Sequence, residues 1–187
     1  MLTEAQEAAR LTGLTSSDAW RLLHPELWVE LAAELAAGRP EKEDTPAMQR
    51  GRDNEARICD AAAALMDWSI FECDTCYHAT VPYILAHPDR IIASAEPGVM
   101  EAKCPGSAFV AANYVEAWTT QLHWHLLATG YTWGALVVGY GNWKSGDLEL
   151  RLIPVQRNPR LMDLMLGLAT EFWAIKETLC TATTSAS

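Results

Sequence analysis

The stretch His87-Pro88-Asp89-Arg90-Ile91-Ile92-Ala93-Ser94-Ala95-Glu96-Pro97-Gly98-Val99-Met100-Glu101-Ala102-Lys103-Cys104-Pro105 governs how the rest of the chain is read. Asp89 is separated from Glu101-Ala102-Lys103 by Ala95-Glu96-Pro97-Gly98, whose Pro-Gly pair carries turn chemistry. In an extended strand successive side chains alternate faces, so Glu101 and Lys103 point one way while Ala102 points into the packing. A hairpin closing at the turn lays Asp89 beside Glu101. Two carboxylates converging with an ammonium group suit a hard divalent cation next to a charge that orients water or phosphate. The plain alternative is a solvated hairpin with cross-strand ion pairs, which adds little stability.

Three other segments keep a fixed order around this one. Arg10-Leu11-Thr12-Gly13-Leu14-Thr15-Ser16-Ser17-Asp18-Ala19 comes first, then Arg50-Gly51-Arg52-Asp53-Asn54-Glu55 entering a helical run. Trp118 to Gly130 follows, with Gln121 and Thr129 inside it. The triad is similar to the PD-(D/E)xK nuclease signature. With Cys104-Pro105 and the flanking segments, the set resembles the YqaJ-type viral recombinase (lambda exonuclease) family, from about Arg10 to the last helix. The resemblance implies an α/β fold with a PD-(D/E)xK restriction-endonuclease-like core, a central mixed sheet flanked by helices. Length and composition suit a single domain, 1–180, which the resemblance makes a nuclease, and the residues of 181–187 read as a polar C-terminal tail.

Composition is compatible with that expectation. A chain of 187 residues, half of them hydrophobic and a fifth charged, can bury one sizeable core. Apolar runs such as Trp133 to Val138 are too short to span a bilayer, and the N-terminal residues lack the pattern of a signal peptide. A cytoplasmic setting, in a bacterium or a phage-infected host cell, is expected, with no membrane partner. Five cysteines cannot all pair, and reduced thiols are expected. Cys73 and Cys76 have the spacing of half a zinc or redox site, but no second pair accompanies them, so a structural zinc is not expected. Net charge is −10, so a nucleic-acid partner has to be met by local clustering of cations. Arg50, Arg52 and Arg57 around Glu55, with Arg90 and Lys103, suggest a basic groove on an acidic body.

The pattern predicts a helix starting near Asp18, a second from Pro25 to about Ala37 ended by Gly38, and a long helix from Pro46 to Trp68. Met48, Ile58, Cys59, Ala62, Leu65 and Met66 form its apolar side. Ser69 to Thr80 and Val81 to Ser94 read as strand-like, and Val99 to Lys103 as a buried strand. Tyr114 to Thr129 reads as a helix stopped by Gly130. Strands from Trp133 to Tyr140 and Leu148 to Val155 flank a turn-rich Gly141 to Asp147, and Arg160 to about Leu179 closes the chain as a helix. Most of the eight tryptophans are expected in the core.

The resemblance assigns roles residue by residue. Asp89 and Glu101 are implied metal ligands, with the Ala102 carbonyl as a third, for Mg²⁺ or for Mn²⁺ in its place. Lys103 holds the attacking water or neutralises the transition state. Glu55, in Arg-Gly-x-x-x-Glu, reaches the metal directly or through water, with Gly51 permitting a close backbone approach; the rival reading is a surface acid paired with a helix arginine. Gln121 faces the site to bond water or Lys103. Arg10 and Ser17 grip a terminal 5′-phosphate at a hydroxyl-rich helix N-terminus; the rival is a capping serine and a surface arginine. His123 and His125, two apart on a helix, cannot easily share a metal and read as structural. The implied activity is 5′-to-3′ digestion of double-stranded DNA ends, leaving 3′ single strands for recombination with a single-strand annealing protein. A PD-(D/E)xK endonuclease and a non-catalytic DNA-end or protein-binding module are the alternatives. The chain departs from the family at His87-Pro88-Asp89-Arg90, where Ser-Pro-Asp-Gly is usual. It is also short between Ser17 and Arg50 and between Lys103 and Gln121. A ring-shaped homotrimer is the implied assembly, and a monomer is its rival.

Overall fold

The computed structural model describes residues 3–39, 43–141 and 148–184. Its centre is a five-stranded mixed sheet in the order β1 (Ser69–Phe71), β4 (Arg90–Ala93), β5 (Gly98–Lys103), β6 (Trp133–Tyr140), β7 (Glu149–Gln156). Only β5 and β6 run parallel, and their connection is α5 (Ala108–Thr129); a parallel pair needs such a crossover. β2 (Cys76–Tyr77) and β3 (Leu85–Ala86) form a small separate ribbon.

Alternation along the strands sorts the core into two faces. Ile92, Met100, Ala135 and Val137 meet Ile58, Cys59 and Ala62 of α4 (Pro46–Met66) on one side. Ile91, Val99, Leu136 and Val138 meet Leu122 and Leu126 of α5 on the other. α4 lies close against β6, because a Cβ on Gly139 would stand 2.6 Å from the Ile58 side chain. That seats Glu55, nearly one turn before Ile58, at the edge of the sheet.

The outward side of α5 is buried as well. Trp124 and Leu127 pack with α2 (Ala19–Leu22), α3 (Trp28–Ala36) and α6 (Pro159–Thr184), and the Trp124 indole donates to the Leu85 carbonyl at 2.9 Å. The C-terminal half of α5, Leu122 to Ala128, is thus buried on every side, while Asn113, Tyr114 and Glu116 of its first half are exposed. The N-terminal segment is tied in through Leu14, whose N–H donates to Tyr83 O and whose carbonyl accepts from Leu85 N–H. Gly13 is required there: a Cβ would stand 2.5 Å from the Tyr83 oxygen.

Several expectations need correction. Residues Glu4–Arg10 form a helix, α1, ahead of the first expected helix, and Arg10 is its last residue. Met48, Leu65 and Met66 are exposed, because α4 is longer than the sheet it covers. The two strand-like runs between Ser69 and Ser94 break into four short strands. α5 begins at Ala108 and α6 continues to Thr184, past the expected ends; of the expected tail, 185–187 lie outside the described residues. Trp28 and Trp124 are buried in the core, Trp68, Trp118, Trp133 and Trp173 pack half-buried against it, and Trp20 is exposed. Trp143 and the turn at 142–147 lie outside the described residues. No described helix is long and apolar enough to cross a membrane.

Candidate active site

The β4–β5 hairpin pairs Arg90 with Met100, which carries Asp89 to the position opposite Glu101. Asp89 Oδ2 accepts the Ala102 N–H at 2.7 Å, closing the hairpin with a side chain where the ladder ends. Glu101 and Lys103 share the α5 face of β5, and Lys103 Nζ donates to Glu101 Oε1 at 2.5 Å. The expected convergence of Asp89, Glu101 and Lys103, with Ala102 turned into the packing, is present.

Helix α5 supplies the roof. Gln121 Oε1 accepts from Lys103 Nζ at 2.8 Å, and Gln121 Nε2 donates to Ser16 Oγ at 3.3 Å. One turn on, His125 Nε2 stands 2.7 Å from Glu101 Oε2, with His125 fully buried and Glu101 only 2% exposed. Ser16 and His125 were not legible as site residues. The i,i+4 spacing of His125 from Gln121 was a usable signal. Ser16 had no signal beyond its place in a hydroxyl run.

Glu55 reaches the site from α4 and pairs with Arg90, at 3.6 Å. Arg90 also meets Glu72 at 3.5 Å, Arg52 pairs with Asp44, and Arg50 donates to the Cys104 carbonyl. Among the described residues nothing lies within 4 Å of where a Cβ on Gly51 would be, so none of them makes the close approach expected there.

Asp89, Glu55, Arg10, Ser17, His87 and Arg90 line one cleft of about 1200 Å³. Arg10 is held by Glu7 at 3.2 Å, and the Ser17 hydroxyl lies 2.8 Å from Thr15 Oγ1. The expected helix N-terminus is a single 3₁₀ turn, Ser16–Asp18, running into the four-residue α2, too short to carry a useful macrodipole. Nor is the cleft a basic groove. Each lining arginine (10, 21, 39, 52 and 90) has an acidic partner, and the lining acids outnumber them.

Electrostatics concentrate on Asp89. Burial pushes its carboxyl well above the ordinary range, and the Glu101 and Glu55 charges push the same way, against Lys103 and the Ala102 N–H. Burial also works against ionised Glu101, but Lys103 and His125 outweigh it and hold that carboxyl at about 2. Burial opposes the Lys103 charge too, yet Glu101 and Asp89 keep its amine above its ordinary value. Burial lowers His87 to about 4, with His125 and Arg10 adding to the effect, and its Nε2 lies 3.0 Å from Thr75 Oγ1. Cys73 and Cys76 are free thiols in mutual contact at the rim, and Cys73 Sγ donates to Pro88 O at 3.8 Å.

Carboxylates 89, 101 and 55 all act on Lys103, and burial, reinforced by Glu101 and Glu55, leaves Asp89 a carboxyl that resists ionising. Hard oxygen donors in that condition fit a divalent cation. Among the described residues no three His, Cys, Asp or Glu side chains form a metal cage. Asp89 and Glu101 would thus be completed by backbone oxygen and water, which suits Mg²⁺.

The profile of the YqaJ-like viral recombinase domain matches residues 7–132, which include every residue of this site. Among solved structures, an alkaline exonuclease from Laribacter hongkongensis superposes with a TM-score of 0.76 at 19% identity, covering 99% of this chain and 100% of that one. The same exonuclease in complex with dAMP gives 0.79 at 21% identity, with coverage again 99% and 100%. A phage-related exonuclease from Haemophilus somnus 129PT gives 0.75 at 10% identity, covering 94% and 99%. At these identities the likeness is one of fold. No curated protein matches the sequence.

Proposed function

The chain belongs to the YqaJ-like viral recombinase domain family, and on that premise we propose that it is a Mg²⁺-dependent exonuclease. It digests double-stranded DNA from a 5′ end and leaves a 3′ single strand for annealing-type recombination. The observation that carries this reading is the meeting of Asp89 and Glu101 on adjacent strands, with Lys103 Nζ 2.5 Å from Glu101 and Asp89 facing the cleft.

Mg²⁺, or Mn²⁺ in its place, would be held by Asp89, Glu101 and the Ala102 carbonyl, with Glu55 contributing directly or through water. Such a cation polarises the scissile phosphate and acidifies a bound water. Lys103 is fixed by Glu101 and Gln121, so its ammonium meets the charge that builds on the phosphoryl oxygens without reorganising. Gln121 keeps Lys103 in place and presents its amide beside the attacking water. Arg10 and Ser17, on the N-terminal wall of the cleft, anchor the 5′-phosphate. Arg10 exchanges Glu7 for that phosphate when an end enters. A single-strand annealing protein is the natural receiver of the 3′ strand.

The test is digestion of linear duplex, with and without a 5′-phosphate, beside closed circular duplex, in Mg²⁺ or EDTA. Degradation of the linear form alone, in Mg²⁺ and fastest from a phosphorylated end, is expected. Cutting of the closed circle identifies an endonuclease, and metal-independent DNA binding without turnover identifies a binding module.

A further inference from the structure

Gln121 and His125 lie one turn apart on α5, so their side chains leave the helix in the same direction, toward β5. Gln121 grips the lysine of the Glu-Ala-Lys strand and His125 grips its glutamate. A carboxylate oxygen only accepts, so the imidazole donates from Nε2 to Glu101 Oε2 across 2.7 Å. His125 Nδ1 is buried and has no partner among the described residues, which leaves Glu101 as the ring's polar contact there.

The last torsion of a glutamate is broad, and packing alone does not fix its carboxylate plane. Here that plane is held from both ends, by Lys103 on Oε1 and by His125 on Oε2. Lys103 holds only one of the two oxygens, and a single contact leaves the plane free to turn about it. The buried His125 ring supplies the second. We infer that His125 is a positioning residue, setting the Glu101 carboxylate in the orientation that a hard divalent cation requires. The inference rests on the metal-nuclease reading of this site. Donors that orient a metal ligand in this way govern cation affinity, and their loss costs about ten- to hundred-fold in binding.

A histidine that merely fills the core makes a different prediction, since an apolar side chain would then serve the cation equally well. The experiment is Mn²⁺ titration of the DNA-free protein, with free Mn²⁺ read by electron paramagnetic resonance. Wild type, Glu101→Gln, His125→Leu and His125→Gln are compared, each checked for a cooperative melt. Wild type is expected to bind one Mn²⁺ that Glu101→Gln removes. His125→Leu should weaken binding about ten- to hundred-fold, and His125→Gln, whose amide can still donate, should restore it to within a few-fold of wild type. Equal affinity of His125→Leu and wild type overturns the inference, as does a folded His125→Gln as weak as the leucine variant. Absence of a Glu101-dependent Mn²⁺ in wild type instead overturns the metal site itself. Where His125→Leu fails to fold, His125→Met, which also lacks a donor, takes its place, and wild-type affinity in that variant likewise overturns the inference.

Discussion

Asp89 is the carboxyl whose ionisation the site most disfavours, and that cost is measurable as stability. Its carboxyl is raised above the ordinary 3.8 by burial and by Glu101 and Glu55. The stability it contributes is therefore complete below about 3.8 and is lost as pH rises through the raised value. Glu101 works in the opposite sense. Held at about 2 against an ordinary 4.5, it stabilises the fold above 4.5 and loses that effect as pH falls through 2. In EDTA at neutral pH, Asp89→Asn should melt at a higher temperature than wild type, and the gain should vanish below about pH 3.8. Divalent cation should erase the gain by stabilising only the wild type. Calorimetry across pH checks this, and an asparagine variant less stable than wild type in EDTA at pH 7 removes Asp89 as the strained group. The same residues carry the proposed chemistry. Asp89→Asn and Glu101→Gln should leave no measurable cleavage of linear duplex, and Lys103→Ala should slow it about 10²- to 10³-fold. Rates near wild type in any of the three would displace the site.

The segment from Arg10 to Asp18 forms the N-terminal wall of the cleft, and beside the Leu14 pairing one side chain, Arg39, ties its two ends together. Arg39 donates to the carbonyls of Arg10 and Gly13 and meets both oxygens of Asp18, at 2.6 and 3.0 Å. α3 ends in two left-handed residues, Gly38 and Arg39 at φ 82° and 55°, which turn Arg39 back toward this segment. Asp18 is 3% exposed along its side chain and also accepts from Thr15. Removing one partner of a buried pair costs about 3–5 kcal/mol, so Arg39→Ala should lower the unfolding free energy by about that much in a denaturant titration. Arg10→Ala and Ser17→Ala touch only the rim. They should reduce the preference for a 5′-phosphorylated end while slowing a 5′-hydroxyl end less; equal slowing of both ends makes them structural. At this scale the sequence was legible where periodicity is strong. α4, β5, β6 and the α5 core were expected, as was the hairpin that joins Asp89 to Glu101. It was not legible where contacts are made across elements. Arg39 has no local pattern to mark it as an anchor. His125 reads as a core histidine until β5 is laid beneath α5. The runs Ser69 to Thr80 and Val81 to Ser94 each looked continuous because their β-prone residues hide the breaks near Cys73 and Pro88.

For the whole molecule the question is how a strongly acidic protein handles DNA and its own copies. With a net charge of −10 and every cleft arginine already facing an acid, duplex cannot be held by a coat of free cations. Assembly is the other route to staying on a strand, since a ring that encloses its product need not grip it tightly. Such a ring uses one pair of unlike patches repeated about its axis. The surface has apolar material for them: Val29, Leu65, Phe71, Tyr77 and Leu164 are all more than half exposed. Like charge on three copies opposes closure, and salt screens it within about 10 Å at 0.1 M. A trimer of the 20.6 kDa chain is the expected state, with the equilibrium moving toward it as ionic strength rises from low values. Light scattering at micromolar concentration across a salt series reads the mass. A chase with excess unlabelled duplex reads how many nucleotides are removed per encounter, and the two must change together. A monomer at every salt concentration, releasing its DNA after a few nucleotides, would mean that this chain works distributively and that its exposed apolar side chains serve something other than a ring.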